Sequence, residues 1–152
     1  MTTADLTRRS AMTRIAGAAL VPVFAARAEE AGLAADAIKA LTNGAVVKPG
    51  RVVIVMPELA ENGNTVAMTV TVESPMTAAD HVRAIHIIAD KNPIARVVSF
   101  HIGPRAGRAK VAANIRLATT QVVTALAEMT DGQFYSGTQE VIVTLAACLD
   151  PG

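Results

Sequence analysis

The feature that most constrains this chain is a two-residue rhythm. In "VAMTVTVE", Val66, Met68, Val70 and Val72 fall on one side, and Ala67, Thr69, Thr71 and Glu73 fall on the other. Successive side chains of an extended chain point to opposite faces, so such a segment lays one face on a core and turns the other outward. The pattern recurs. "RVVIVM" (51–56), "HVRAIHIIA" (81–89), "ARVVSFHI" (95–102), "AKVAANIRL" (109–117), "VVTALAEM" (122–129) and "EVIVTL" (140–145) bring the total to seven predicted strands. The breaks between them, "ENGN", "SPM", "KNP", "GPRAG" and "TDGQ", carry turn residues, with Asn62-Gly63 and Asp131-Gly132 the strongest pairs. No helical pattern separates the strands, which argues against a parallel α/β fold. The expected class is all-β, an immunoglobulin-like antiparallel β-sandwich.

Ahead of the first strand the period is different. In "EEAGLAADAIKALTNG", Leu33, Ala37, Ile38 and Leu41 recur at helical spacing. Glu29 and Glu30 suit the start of a short helix and Gly44 suits its stop. Earlier still, Arg8 and Arg9 precede an apolar run, Ile15 to Ala26, and then "ARA" at 26–28. Basic, apolar and small-residue regions in that order predict a secretory signal over 1–28, and the paired arginines point to twin-arginine export to the periplasm. The run is too short to span a bilayer. The predicted organisation is thus a signal at 1–28, a sandwich at 29–145 and a tail at 146–152.

The charge balance narrows the partners. The full chain carries a formal net charge of +1. Four of its basic residues (Arg8, Arg9, Arg14, Arg27) and one acid (Asp5) lie in the predicted signal, so the remainder is mildly acidic. With no basic run, nucleic acid is not an expected partner. Aromatics make up 3% of the chain and Trp is absent, so the core must be built from Val, Ile, Leu, Ala and Met.

Candidate chemistry is sparse. His81 and His86 are five apart and would point to opposite faces of a strand, and neither forms an evident ligand pair with His101. Met56, Met68 and Met76 read as core residues more readily than as copper ligands. Ser74 and Ser99 sit in no strand-to-helix elbow, which argues against a hydrolase. "GPRAG" reads as a hairpin turn, since no helix follows to make a phosphate loop. "KNPIAR" and "RAGRAK" read as solvated loops, or as a docking surface for an anionic group.

That leaves Cys148, the chain's one cysteine, in "LAACLDPG". It lies just beyond the last predicted strand. An intermolecular partner, an adduct site and a buried bystander all remain open for it.

The stretch from "PELAENGNTVAMTVTVESPM" through "HIGP", with "ANIRLATTQVVTALAEMTDGQFY" and the valine-rich strand before the cysteine, resembles the SoxY sulfur-carrier family of thiosulfate oxidation. The resemblance runs from about Glu29 to Cys148. It implies an immunoglobulin-like sandwich paired with a SoxZ-like subunit in a heterodimer or higher oligomer. It also implies service to partner enzymes of the SoxAX, SoxB and SoxCD types, with no cofactor, metal or catalytic residue of the chain's own. The family carries pathway intermediates covalently on a cysteine in a GGCGG tail, and Cys148 occupies that position. Here the flanks are Ala146, Ala147, Leu149 and Asp150 instead of glycines. Alanine narrows the backbone freedom that glycine gives. Asp150 is expected to raise the thiol pKa and to repel anionic groups. The resemblance therefore implies either a carrier or a SoxY-like binding module that has lost carriage.

Overall fold

The computed structural model describes residues 24–146, with side chains from residue 32 onward. The twin arginines, most of the predicted signal, Ala147, Cys148, Leu149 and Asp150 lie outside the described residues. Helix α1 spans Phe24–Thr42 and begins ahead of the expected start at Glu29. Two left-handed residues end it, Asn43 (φ 51°) and Gly44 (φ 81°), and the Gly44 N–H donates to the Lys39 carbonyl at 3.2 Å. No helix among the described residues is long and apolar enough to cross a membrane.

Nine strands follow: β1 (Val47–Pro49), β2 (Val52–Val55), β3 (Leu59–Asn62), β4 (Val66–Val72), β5 (Val82–Ala89), β6 (Arg96–His101), β7 (Ala109–Ile115), β8 (Gln121–Met129) and β9 (Phe134–Leu145). They form the expected two-sheet sandwich. The larger sheet has the order β1-β9-β8-β5-β6, with β3 also on β9, and the smaller has the order β2-β4-β7. Both cores are antiparallel, but β1 and β3 join β9 in parallel, which the sequence reading did not anticipate. "KNP" and "TDGQ" close hairpins, whereas "GPRAG" makes a 3-10 turn at Pro104–Ala106 that carries the chain from one sheet to the other. A hairpin there is ruled out because β6 and β7 belong to different sheets.

The alternation of β4 explains the core. Val66, Met68, Val70 and Val72 point inward against Ile85, Ile87, Val123, Ala125, Ala127 and Val141. Each fully buried Ile or Val adds about 1.5–3 kcal/mol of transfer free energy. β5 looks irregular in sequence because it is covered twice. Ile85 and Ile87 face the smaller sheet, while Ile88 faces a second cluster with Leu126, Phe134, Ala34, Ala37, Ile38 and Leu41. A strand buried on both faces loses its polar alternation. The helix stripe differs by one position from the expected one: Ala34 packs, and Leu33 is 49% exposed.

The two sheets approach closely at Gly137 of β9. A Cβ added there would collide with the Val52 carbonyl oxygen and lie 3.2 Å from its carbonyl carbon. Glycine in a strand interior marks such a backbone approach. Gly137→Ala is therefore expected to destabilise the fold by about 1–3 kcal/mol, the usual range for overpacking. Gly103→Ala, where nothing lies within 4 Å of the added atom, is expected to be near neutral. Urea denaturation of the two variants checks this, and equal midpoints would contradict the close approach.

Candidate functional site

β9 delivers the chain to its cysteine-bearing tail, and its last residues are tied down. Leu59, Ala60 and Asn62 of β3 pair with Ile142, Val143 and Leu145. The Gly63 N–H donates to the Leu145 carbonyl at 2.9 Å, and the Gly63 carbonyl accepts from Leu117 N–H at 2.8 Å. Thr144 Oγ1 donates to the Glu61 carbonyl at 2.9 Å, and the Val143 N–H donates to Thr120 Oγ1 at 2.9 Å. The strand ends at Leu145, where the sequence placed its end. Inward-facing Val141 and Val143 are buried, whereas Leu145 is 65% exposed, so the chain leaves the core between Val143 and Leu145. Ala146 is exposed, and Cys148 stands three positions beyond this anchor.

The sequence reading missed a polar cluster on the outer face of the larger sheet. His86 (β5) is buried, and its Nδ1 lies 2.7 Å from Ser99 Oγ (β6). Its Nε2 is 3.9 Å from Glu128 Oε2 (β8), and Glu128 pairs with Arg83 at 3.1 Å. The His101 ring stands edge-on to His86 with centroids 6.4 Å apart. Strand register brings these residues together, since His86 pairs with Ser99 and Ala84 with His101. The available signal was the "KNP" turn, which fixes that hairpin. The cluster does not make a hydrolase: serine engages Nδ1, and the carboxylate stands beyond hydrogen-bond range of Nε2. His81 lies apart, its Nδ1 3.0 Å from the Thr77 carbonyl, and Met56, Met68 and Met76 pack in the core. Ser74 accepts a hydrogen bond from Met76 N–H, a local turn contact.

A second polar cluster marks the far end of β9. Arg51 and Lys48 stand 5.0 and 6.0 Å from the Tyr135 ring centroid, and Lys48 Nζ donates to Gln133 Oε1 at 2.8 Å. Tyr135 and Leu145 are ten residue steps apart along β9, about 33 Å of extended chain, so this cluster is remote from the tail.

Burial holds His86 below its ordinary pKa; Glu128 opposes the shift, and His101 and Arg96 add to it. The unfolded chain then binds more protons than the folded one between the lowered value and about 6.5. Stability is complete above about pH 6.5 and falls as pH drops through that window. Thermal melts between pH 5 and 8 are expected to show this loss in the native chain and a flatter profile in His86→Gln. Parallel profiles would contradict the assignment.

Comparison with known proteins gives the context. The family model of the sulfur oxidation protein SoxY matches residues 38–148, ending on Cys148. The sulfur carrier protein SoxY of Chlorobium limicola f. thiosulfatophilum is similar in structure, with a TM-score of 0.67 at 28% identity over 79% of this chain and 99% of that one. Superoxide reductases share the fold alone. That of Ignicoccus hospitalis has a TM-score of 0.54 at 18% identity, covering 62% of this chain and 80% of its own. A putative one from Thermotoga maritima has 0.55 at 21%, covering 64% and 93%. Comparison with curated proteins gives no match. With the family model spanning most of its length and a SoxY sandwich matching its fold, the chain belongs to the SoxY family of sulfur oxidation proteins.

Proposed function

We propose that this chain is a periplasmic sulfur carrier of thiosulfate oxidation, holding intermediates covalently on Cys148 without catalysing their conversion. The observation that carries this reading is the family match running through to Cys148, three residues past a strand end held by backbone hydrogen bonds. A carrier needs a fixed mount and a reachable sulfur, and β9 with β3 supplies the mount.

The chemistry falls to partner enzymes. Oxidative coupling joins the Cys148 thiol to thiosulfate, forms a sulfur–sulfur bond, releases one proton and passes two electrons to an acceptor on a SoxAX-type partner. Hydrolysis then cleaves the terminal sulfonate as sulfate, with one proton from water released and the other retained on a persulfide at Cys148. A thiol near pKa 8.5 is a few per cent thiolate at neutral pH, enough when the partner activates it. Asp150 lowers that fraction.

A SoxZ-like subunit fits the exposed apolar residues. Val53 and Val55 are 54% and 61% exposed on the outward face of β2, at an edge of the smaller sheet. Exposed apolar residues beside a strand edge suit a partner surface. Export rests on the twin arginines and the "ARA" site, with the processed chain beginning at Glu29. The glycine-free flanks of Cys148 favour one second reading, a SoxY-like assembly module that no longer carries sulfur.

Replacement in the producing organism tests the choice. Cys148→Ser is expected to abolish sulfate formation from thiosulfate while leaving the fold and partner binding intact. Sulfate formation at the native rate in that variant would overturn the carrier reading in favour of the assembly module.

A further inference from the structure

The sandwich end from which the tail emerges also carries a depression that nothing described above uses. It holds about 290 Å³ and is lined by Asn92, Pro93, Ile94, Arg96, Val97 and Arg116. The floor is built. Asn92 is buried, donates from Nδ2 to the Arg116 carbonyl at 2.9 Å, and accepts from Ala118 N–H and Gln121 Nε2. This network fixes the β5–β6 turn against the segment after β7. The walls are of two kinds. Pro93, Ile94 and Val97 are apolar, and Ile94 is 76% exposed. Arg96 and Arg116 are cationic, and among the described residues neither makes an ion pair.

We propose that this depression docks the chain's own tail, with Leu149 against Pro93, Ile94 and Val97 and the Asp150 carboxylate accepting hydrogen bonds from Arg116 and Arg96. Reach supports it. Leu145 and Leu117 are both hydrogen-bonded to Gly63, and Arg116 is the next residue. Two hydrogen bonds and one glycine put the tail's base on the order of 10 Å from the pocket's rim. The five residues from Leu145 to Asp150 extend to about 17 Å, so Asp150 reaches the arginines with slack. Chemistry supports it as well, because a leucine followed by a carboxylate matches an apolar wall beside two guanidinium groups. Docking lays Cys148 along the sandwich, a shielded state in equilibrium with a presented one. The proposal concerns the bare thiol and does not depend on sulfur carriage.

Cys148 is the chain's one cysteine, so alkylation reads its exposure directly. The reduced full-length chain is treated with iodoacetamide across a pH series, and the plateau rate above the thiol pKa is compared, which removes the effect of Asp150 on ionisation. Asp150→Arg and Arg116→Asp are each expected to raise that plateau by up to about fivefold, the limit for an exposed ion pair. Salt at 0.5 M is expected to do the same to the native chain, and the double variant to return to the native rate. Unchanged plateaus in both single variants would overturn the proposal. Protection that grows with protein concentration would assign the pocket to a second copy's tail, and acceleration by sulfate without any effect of Asp150→Arg would assign it to a free anion. Either result overturns docking within one chain.

Discussion

The structure depends on one close contact, the backbone of β2 laid against β9 at Gly137. β9 is the longest strand and the most connected. It pairs with β8 over eight positions, takes β1 on its first residues and β3 on its last, and meets the other sheet face to face at Gly137. A side chain at 137 would push the sheets apart just where the chain passes between them at Gly50 and Arg51, both left-handed. The same strand then runs on past β8, and β3 with Gly63 holds its exposed end. The strand that closes the sandwich is thus also the one that leads to Cys148, the proposed carrier.

The sequence disclosed what periodicity can disclose. The strict alternation at 66–72 and 109–115 placed β4 and β7 and their inward faces, and the run "EVIVTL" placed the end of β9 near Leu145. Shorter elements escaped. β1 and β3 have three and four residues, too few to show a period, and they pair in parallel with a strand far away in sequence. The first half of β9, "FYSGTQ", alternates weakly because Gly137 occupies an inward position for the sake of a backbone contact. The histidine cluster escaped for another reason. His86, Ser99 and Glu128 come from three strands, and only sheet register brings them to one spot. "KNPIAR" was legible as a possible anion surface, but Arg116, the second cation there, comes from beyond β7, and spacing alone does not join the two.

On the proposed reading, the chain separates mount, sulfur and chemistry. The face between the sheets is nearly all aliphatic, and the one buried histidine among the described residues, His86, lies on the outer face of the larger sheet with its pKa lowered by burial. The proposed carrier cysteine lies in the tail, where Leu149 and Asp150 stand in place of the family's glycines. In the docking proposed above, those two residues match the wall of a pocket within reach.

The central claim is that Cys148 carries sulfur, and the most direct measurement is the intact mass of the protein purified from its host during growth on thiosulfate, before and after reductant. The account predicts a species heavier than the bare thiol by sulfur-containing increments, mapped to the peptide holding Cys148 and removed by reductant. A mass corresponding to the free thiol alone, identical before and after reduction, would contradict it.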